Sequence, residues 1–165
     1  MPLAFYLSDI VMLLAALVAA VSAWSQGHAV IVPRWRLLLP GVLATIATIA
    51  LISFPRPIEL LDPQMHLIGA ACFLLGGARG AFMSMESDHA WGVVRVQDSR
   101  DGVWAAMALA LFATLNFAAE MITQNVNPYM ISVELLMTIP GSYLMGRSLV
   151  GWIRAGRMVH ADLRD

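Results

Sequence analysis

Five apolar stretches, each about the length of a bilayer-crossing helix and separated by short polar loops, leave this chain few ways to fold. A helix needs roughly 20 mostly apolar residues to cross a hydrocarbon core of about 30 Å, and residues 5–24, 37–54, 66–85, 103–122 and 130–150 meet that requirement. Lipid offers the backbone no hydrogen-bond partners, so each stretch must satisfy its own N–H and C=O groups by coiling into a helix. Composition agrees, because only 13% of the 165 residues are charged and 59% are hydrophobic, whereas a soluble domain carries about 25% charged residues. The expected fold is all-α: one polytopic transmembrane bundle over residues 1–165, with five spans.

The loops carry the punctuation. Prolines at 55, 57 and 63 end the second span and open the third, and Asn127 with Pro128 makes a turn before the fifth. The first apolar stretch outruns a signal-peptide core and lacks a basic leader, so it reads as an uncleaved span. Trp91 to Val96 alternates like a strand. With QDSRDG as its turn it predicts a short β-hairpin within residues 91–102. Pro140 and Gly141 fall in the middle of the fifth span, where a kink is expected.

Arginines set the orientation, since short basic loops stay on the cytoplasmic side. With the N-terminus outside and the C-terminus inside, Arg34, Arg36, Arg95, Arg100, Arg154, Arg157 and Arg164 lie inside. Arg79 and Arg147 fall near inner helix ends, and Arg56 alone is outside. Tyr6, Trp24, Trp35, Trp91, Trp104, Tyr129 and Trp152 fall near helix ends, as interfacial aromatic residues do. The location implied is the cell inner membrane, with the lipid bilayer as the chain's first partner.

Several function classes recede on composition. Ten arginines balance eleven acids without a like-charge block, which gives nucleic acid nothing to bind. The single cysteine, Cys72, excludes an intrachain disulfide or a CxxC pair. Of the histidines at 28, 66, 89 and 160, only His66 is near a span, so paired haem ligation is not expected. Neither a metal nor another cofactor is expected; Met83 and Met85 read as packing residues.

Two polar constellations stand out against the apolar background. On the inner side, Arg79 lies about 20 Å along the third span from His66, counted at 1.5 Å per residue. The first reading is an arginine that extends to the headgroups and pairs with a loop acid. The functional alternative has it facing the bundle and holding an anionic group beside Glu86, Asp88 and His89. Gly76 and Gly80 form a GxxxG pair around it, a motif that lets a second helix approach closely. On the outer side, Asp9, Glu120 and Glu134 come from three helices at one level, with Asn116 and His66 near them, and define a candidate polar pocket. Acids in spans mark ion, proton or ligand sites, or simply reach headgroup water.

The order of parts is a basic loop after the first span (PRWRLLLP), a glycine-rich span ending in GARG at 77–80, an acid at Asp88, and a valine-rich excursion GVVRVQDSRDGVW before the next span. In that order, over roughly residues 33–104, the chain resembles the CcdC-like family of small polytopic membrane proteins found beside cytochrome c maturation genes. The resemblance implies a membrane protein linked to that maturation, and it supplies no catalytic residue to carry over.

Three functions follow as expectations. The first is partner binding or assembly assistance, with a membrane protein or a second copy as partner, and it predicts a small-residue or apolar groove on the lipid-facing surface. The second is a small transporter or ion-conducting subunit, in which Asp9, Glu120 and Glu134 share a cavity. The third is a membrane-embedded enzyme, in which Arg79, Asp88 and His89 converge on a pocket open to the cytoplasm.

Overall fold

The computed structural model describes residues 3–26, 30–53, 63–97, 99–123, 130–161 and 163, with backbone alone for 3–6, 30, 52–53, 120–123 and 130–134. Among the described residues there are five α-helices: α1 (Leu3–Gln26), α2 (Leu39–Ser53), α3 (Pro63–Phe82), α4 (Asp101–Thr123) and α5 (Met130–Ala155). Among the described residues, four stretches are long and apolar enough to cross a membrane: Leu7–Gln26, Arg34–Leu51, Pro63–Phe82 and Asp101–Ala119. The protein is therefore a small multi-span membrane protein.

The fifth helix differs for a reason of position. α5 packs against α2, α3 and α4 at once, so much of its surface meets protein. Thr138, Arg147 and Ser148 are buried there, which a lipid-facing helix of the same length would not tolerate. Pro140 lies inside α5, and the helix continues through it to Ala155.

Close contacts fix the helix directions. On α3, Gly69 faces Thr138 and Ser142 while Gly80 faces Arg147 and Gly151, so α3 and α5 run parallel. On α2, Gly41 meets Ser148, and Ala44 and Thr48 meet Gly141, so α2 opposes α5. α1 packs against α2 and α4, and its Ala16, Ala19 and Ala23 are buried beside Met12. Met12, Ala16 and Ala23 form one core with Ala44 and Ala47 of α2 and Ala106, Leu109 and Ala113 of α4. Such a core gains from close dispersion contact between backbones, since lipid chains offer no hydrophobic gain for helix association. Large side chains instead cover the outside, among them Leu67, Leu74, Phe82 and Trp104.

A small sheet closes one end of the bundle. Its strands are β1 (Val30–Pro33), β2 (Met85–Asp88) and β3 (Val93–Val96), all antiparallel in the order β1-β3-β2. The expected hairpin thus forms with a different partner: β3 pairs with the upstream β2 through a turn at 89–92, and α4 begins at Asp101, within the stretch expected as the turn. Two local features select that turn. Asp88 Oδ1 accepts from the amides of Ala90 (2.9 Å) and Trp91 (3.3 Å), and Gly92 takes φ 62°, which L-residues adopt only at a cost. The third span correspondingly stops at Phe82, not at 85, because Met85 is claimed by β2.

The third strand comes from the loop after α1, which the sequence pattern presented only as a connector. β1 runs into a 3-10 turn, Arg34–Leu37, whose Arg34 amide donates to Gly92 O at 3.0 Å. Val32, Leu37, Met83, Met85, Val94 and Val96 make a second core against the end of α5. The tail joins the same end through a bridge between Ser87 and His160.

Candidate functional site

Three helical stripes converge on one polar cluster at the sheet end. On α3, Cys72 and Leu75 precede Arg79 by seven and four residues; on α4, Ala105 and Ala108 follow Asp101 by four and seven; on α5, Pro140 and Tyr143 precede Arg147 by seven and four. Spacings of four and seven put each set on one helix face. The six apolar-stripe residues line a cleft of about 350 Å³ between α3 and α4, with α5 as its floor. Leu75 is exposed at its edge, so the cleft opens on the side of the bundle.

The cluster is centred on one carboxylate. Asp101 Oδ2 accepts from Arg147 Nε at 3.0 Å and from the Tyr143 hydroxyl at 2.7 Å, and lies 3.5 Å from Arg79 Nε. Asp101 Oδ1 accepts from the Ser99 hydroxyl. As the first residue of α4, Asp101 also sits where the helix dipole favours negative charge.

Burial divides the two arginines. The Arg147 side chain is 5% exposed, and its Nη2 lies 3.2 Å from both the Met83 sulfur and the Ser99 oxygen. Gly102 packs on the guanidinium, leaving no room for a Cβ, which would stand 2.8 Å from Cζ. The Arg79 side chain is 46% exposed, so its pair with Asp101 is open to a competing anion. Two guanidinium groups share one carboxylate, and the group as a whole is left one charge positive.

The residues singled out on the inner side are distributed over two places. Arg79 joins Asp101, a residue that sequence reasoning assigned to a turn. Glu86 pairs instead with Arg95, its register partner across the hairpin, at 3.3 Å. Asp88 holds the 89–92 turn. His89 places Nε2 2.7 Å from Met158 O, and its amide donates to His160 Nδ1 at 3.3 Å. With that lone pair engaged, the Asp88 carboxylate 3.6 Å from the same nitrogen is a neighbour and not its hydrogen-bond acceptor. These contacts tie the tail to the sheet.

Gly76 and Gly80 face α5. A Cβ on Gly76 would stand 2.0 Å from Tyr143 O, and one on Gly80 2.5 Å from Arg147 O. The glycine seam therefore sets the depth at which Tyr143 and Arg147 meet α3.

On the opposite side, Asn116 is buried and His66 is exposed. Asp9 is half-buried on α1. The side chains of Glu120 and Glu134 lie outside the described residues. Among the described residues, no group of three His, Cys, Asp or Glu side chains is arranged to hold a metal.

Sequence reasoning passed over Arg147, Tyr143, Ser99 and Asp101. A signal was present: Arg147 lies eight residues before the end of α5, about 12 Å inside the helix, where a charge requires a partner. Comparison with family models, curated proteins and solved structures returned no match. The resemblance to CcdC-like proteins thus rests on its short motifs.

Proposed function

We propose that this chain is a binding protein of the cell inner membrane, with five spans and the sheet end in the cytoplasm, whose cleft between α3 and α4 receives a partner from within the bilayer. The observation that carries the reading is the side-opening apolar cleft, whose lining residue Tyr143 donates its hydroxyl to Asp101 of a cluster with net positive charge. Clefts of roughly 300–1,000 Å³ with few convergent polar groups are the usual form of ligand sites. The link to cytochrome c maturation implied by the family resemblance belongs to this same reading.

The other two functions have less support. An enzyme of the expected kind needs Arg79, Asp88 and His89 around one pocket, and these three engage Asp101, the hairpin turn and the tail respectively. A transporter depends on the carboxylates of the other side.

Orientation is tested by compartment reporters fused after Arg95 and Asp165. Both should report the cytoplasm, and a periplasmic signal from either overturns the assignment. Occupancy is tested with a photo-crosslinking amino acid at Ala108, inside the cleft, and at Leu67, on the exposed face of α3. A discrete adduct from position 108 and none from 67 is the expected result; equal yields from the two positions reject the cleft as a binding site.

A further inference from the structure

The geometry points to an anionic glycerophospholipid as the occupant of the cleft, with one acyl chain along the α3–α4 groove and its phosphate on Arg79. This inference rests on the cleft being a binding site, and adds the chemistry of what binds. The first argument is length. The α4 residues that line the cleft run from Ala105 to Phe112, seven residues or about 10 Å at 1.5 Å per residue, and Asp101 lies one turn, about 6 Å, further along the same helix. Half of a hydrocarbon core of about 30 Å is the depth of a single leaflet, so the apolar groove covers about two thirds of one acyl chain's depth and the Asp101 cluster beyond it falls at headgroup level.

Charge is the second argument. Arg79 and Arg147 share the single Asp101 carboxylate, and the guanidinium left half-exposed is Arg79. A phosphate monoanion there completes the neutralisation, and the planar fork of arginine suits phosphate oxygens. A zwitterionic headgroup brings its own cation and supplies no net compensation. The Tyr143 ring connects the two halves of the site, because it lines the cleft while its hydroxyl donates to Asp101.

The test uses the purified, delipidated full chain in mild detergent. Equal amounts of phosphatidylglycerol and phosphatidylcholine with matched acyl chains are added, and the retained lipid is counted by native mass spectrometry. Phosphatidylglycerol should be retained about tenfold over phosphatidylcholine, the discrimination of one charge-assisted contact. Arg79→Gln should bring the two to parity, and Arg79→Lys should restore most of the preference. Arg36→Gln, at an exposed arginine stacked on Trp35 at the same end of the bundle, should leave it unchanged.

The failures separate. Equal retention of both lipids by the native chain overturns the headgroup assignment; if Ala108→Trp then expels both, the cleft itself still binds. Retention unaffected by Ala108→Trp overturns the cleft as well. Displacement of phosphatidylglycerol by an equimolar polyprenyl phosphate gives the site to an isoprenoid and rejects the glycerolipid. A lipid-free dimer as the dominant species gives the groove to a second copy and also rejects it.

Discussion

Replacing Gly76 with alanine is expected to destabilise the bundle by about 3 kcal/mol or more, at or beyond the upper end of ordinary overpacking costs. The new Cβ would lie 2.0 Å from the Tyr143 carbonyl oxygen and 2.8 Å from its carbon, both backbone atoms that no rotamer change can move aside. Gly146 on the facing helix has the reciprocal geometry, its Cβ meeting Phe73 O at 2.0 Å. Either substitution must push α3 away from α5, which widens the cleft floor and draws Arg79 from Asp101. Gly151→Ala is the control, because there the nearest atom is the Met83 methyl at 4.0 Å, an ordinary van der Waals distance. It should stay within about 0.5 kcal/mol of the native chain, as substitutions away from such contacts do. Reversible unfolding in mixed detergent micelles measures all three. A Gly76→Ala variant as stable as Gly151→Ala would show that α3 and α5 do not meet backbone to backbone at Gly76.

The seam was legible because close helix approach leaves a mark at one spacing on one helix, and Gly76, Gly77 and Gly80 carry it. Helix positions were legible for a similar reason, since apolar length is a local property. α4 and α5 extend slightly beyond the expected spans, with Asp101 and Ala155 included as helix-end residues. What depended on distant pairing was not legible. Glu86 and Arg95 are nine residues apart and become partners only because Gly92 and Asp88 turn the chain between them. β1 joins β3 across 60 to 66 residues, and although the β-branched run VIV before a proline suits a strand, nothing local in it names the partner strand. The candidate site shows the same division. Arg79 drew attention as a charge in a span, but its partner Asp101 sat among loop residues and the more deeply buried Arg147 was counted only toward orientation. A carboxylate at a helix start has many ordinary uses, and only the fold reveals that this one neutralises two arginines.

Asp101→Asn should therefore cost far more than a surface acid does. Arg147 is enclosed by Gly102, Met83 and Ser99, with Asp101 as its anionic partner. Removing the charge while keeping the shape leaves a buried guanidinium without a counterion, a loss of about 3–5 kcal/mol. Arg79 cannot compensate, being of the same sign as Arg147. Its own pair with Asp101 is half-exposed, and Arg79→Gln should cost only about 0–1 kcal/mol. The decisive measurement is a double-mutant cycle. Asp101→Asn with Arg147→Gln removes both charges, so the pair should be less damaging than Asp101→Asn alone, with a coupling of about 1–3 kcal/mol. Simple additivity would mean that the stability of this end resides in the glycine seam and the small sheet and not in the ion pair. Because the double variant keeps Arg79 and the surplus of one positive charge, it should still retain phosphatidylglycerol over phosphatidylcholine, and restored stability together with that preference would assign Asp101 and Arg147 to holding this end of the bundle and Arg79 to meeting the anion.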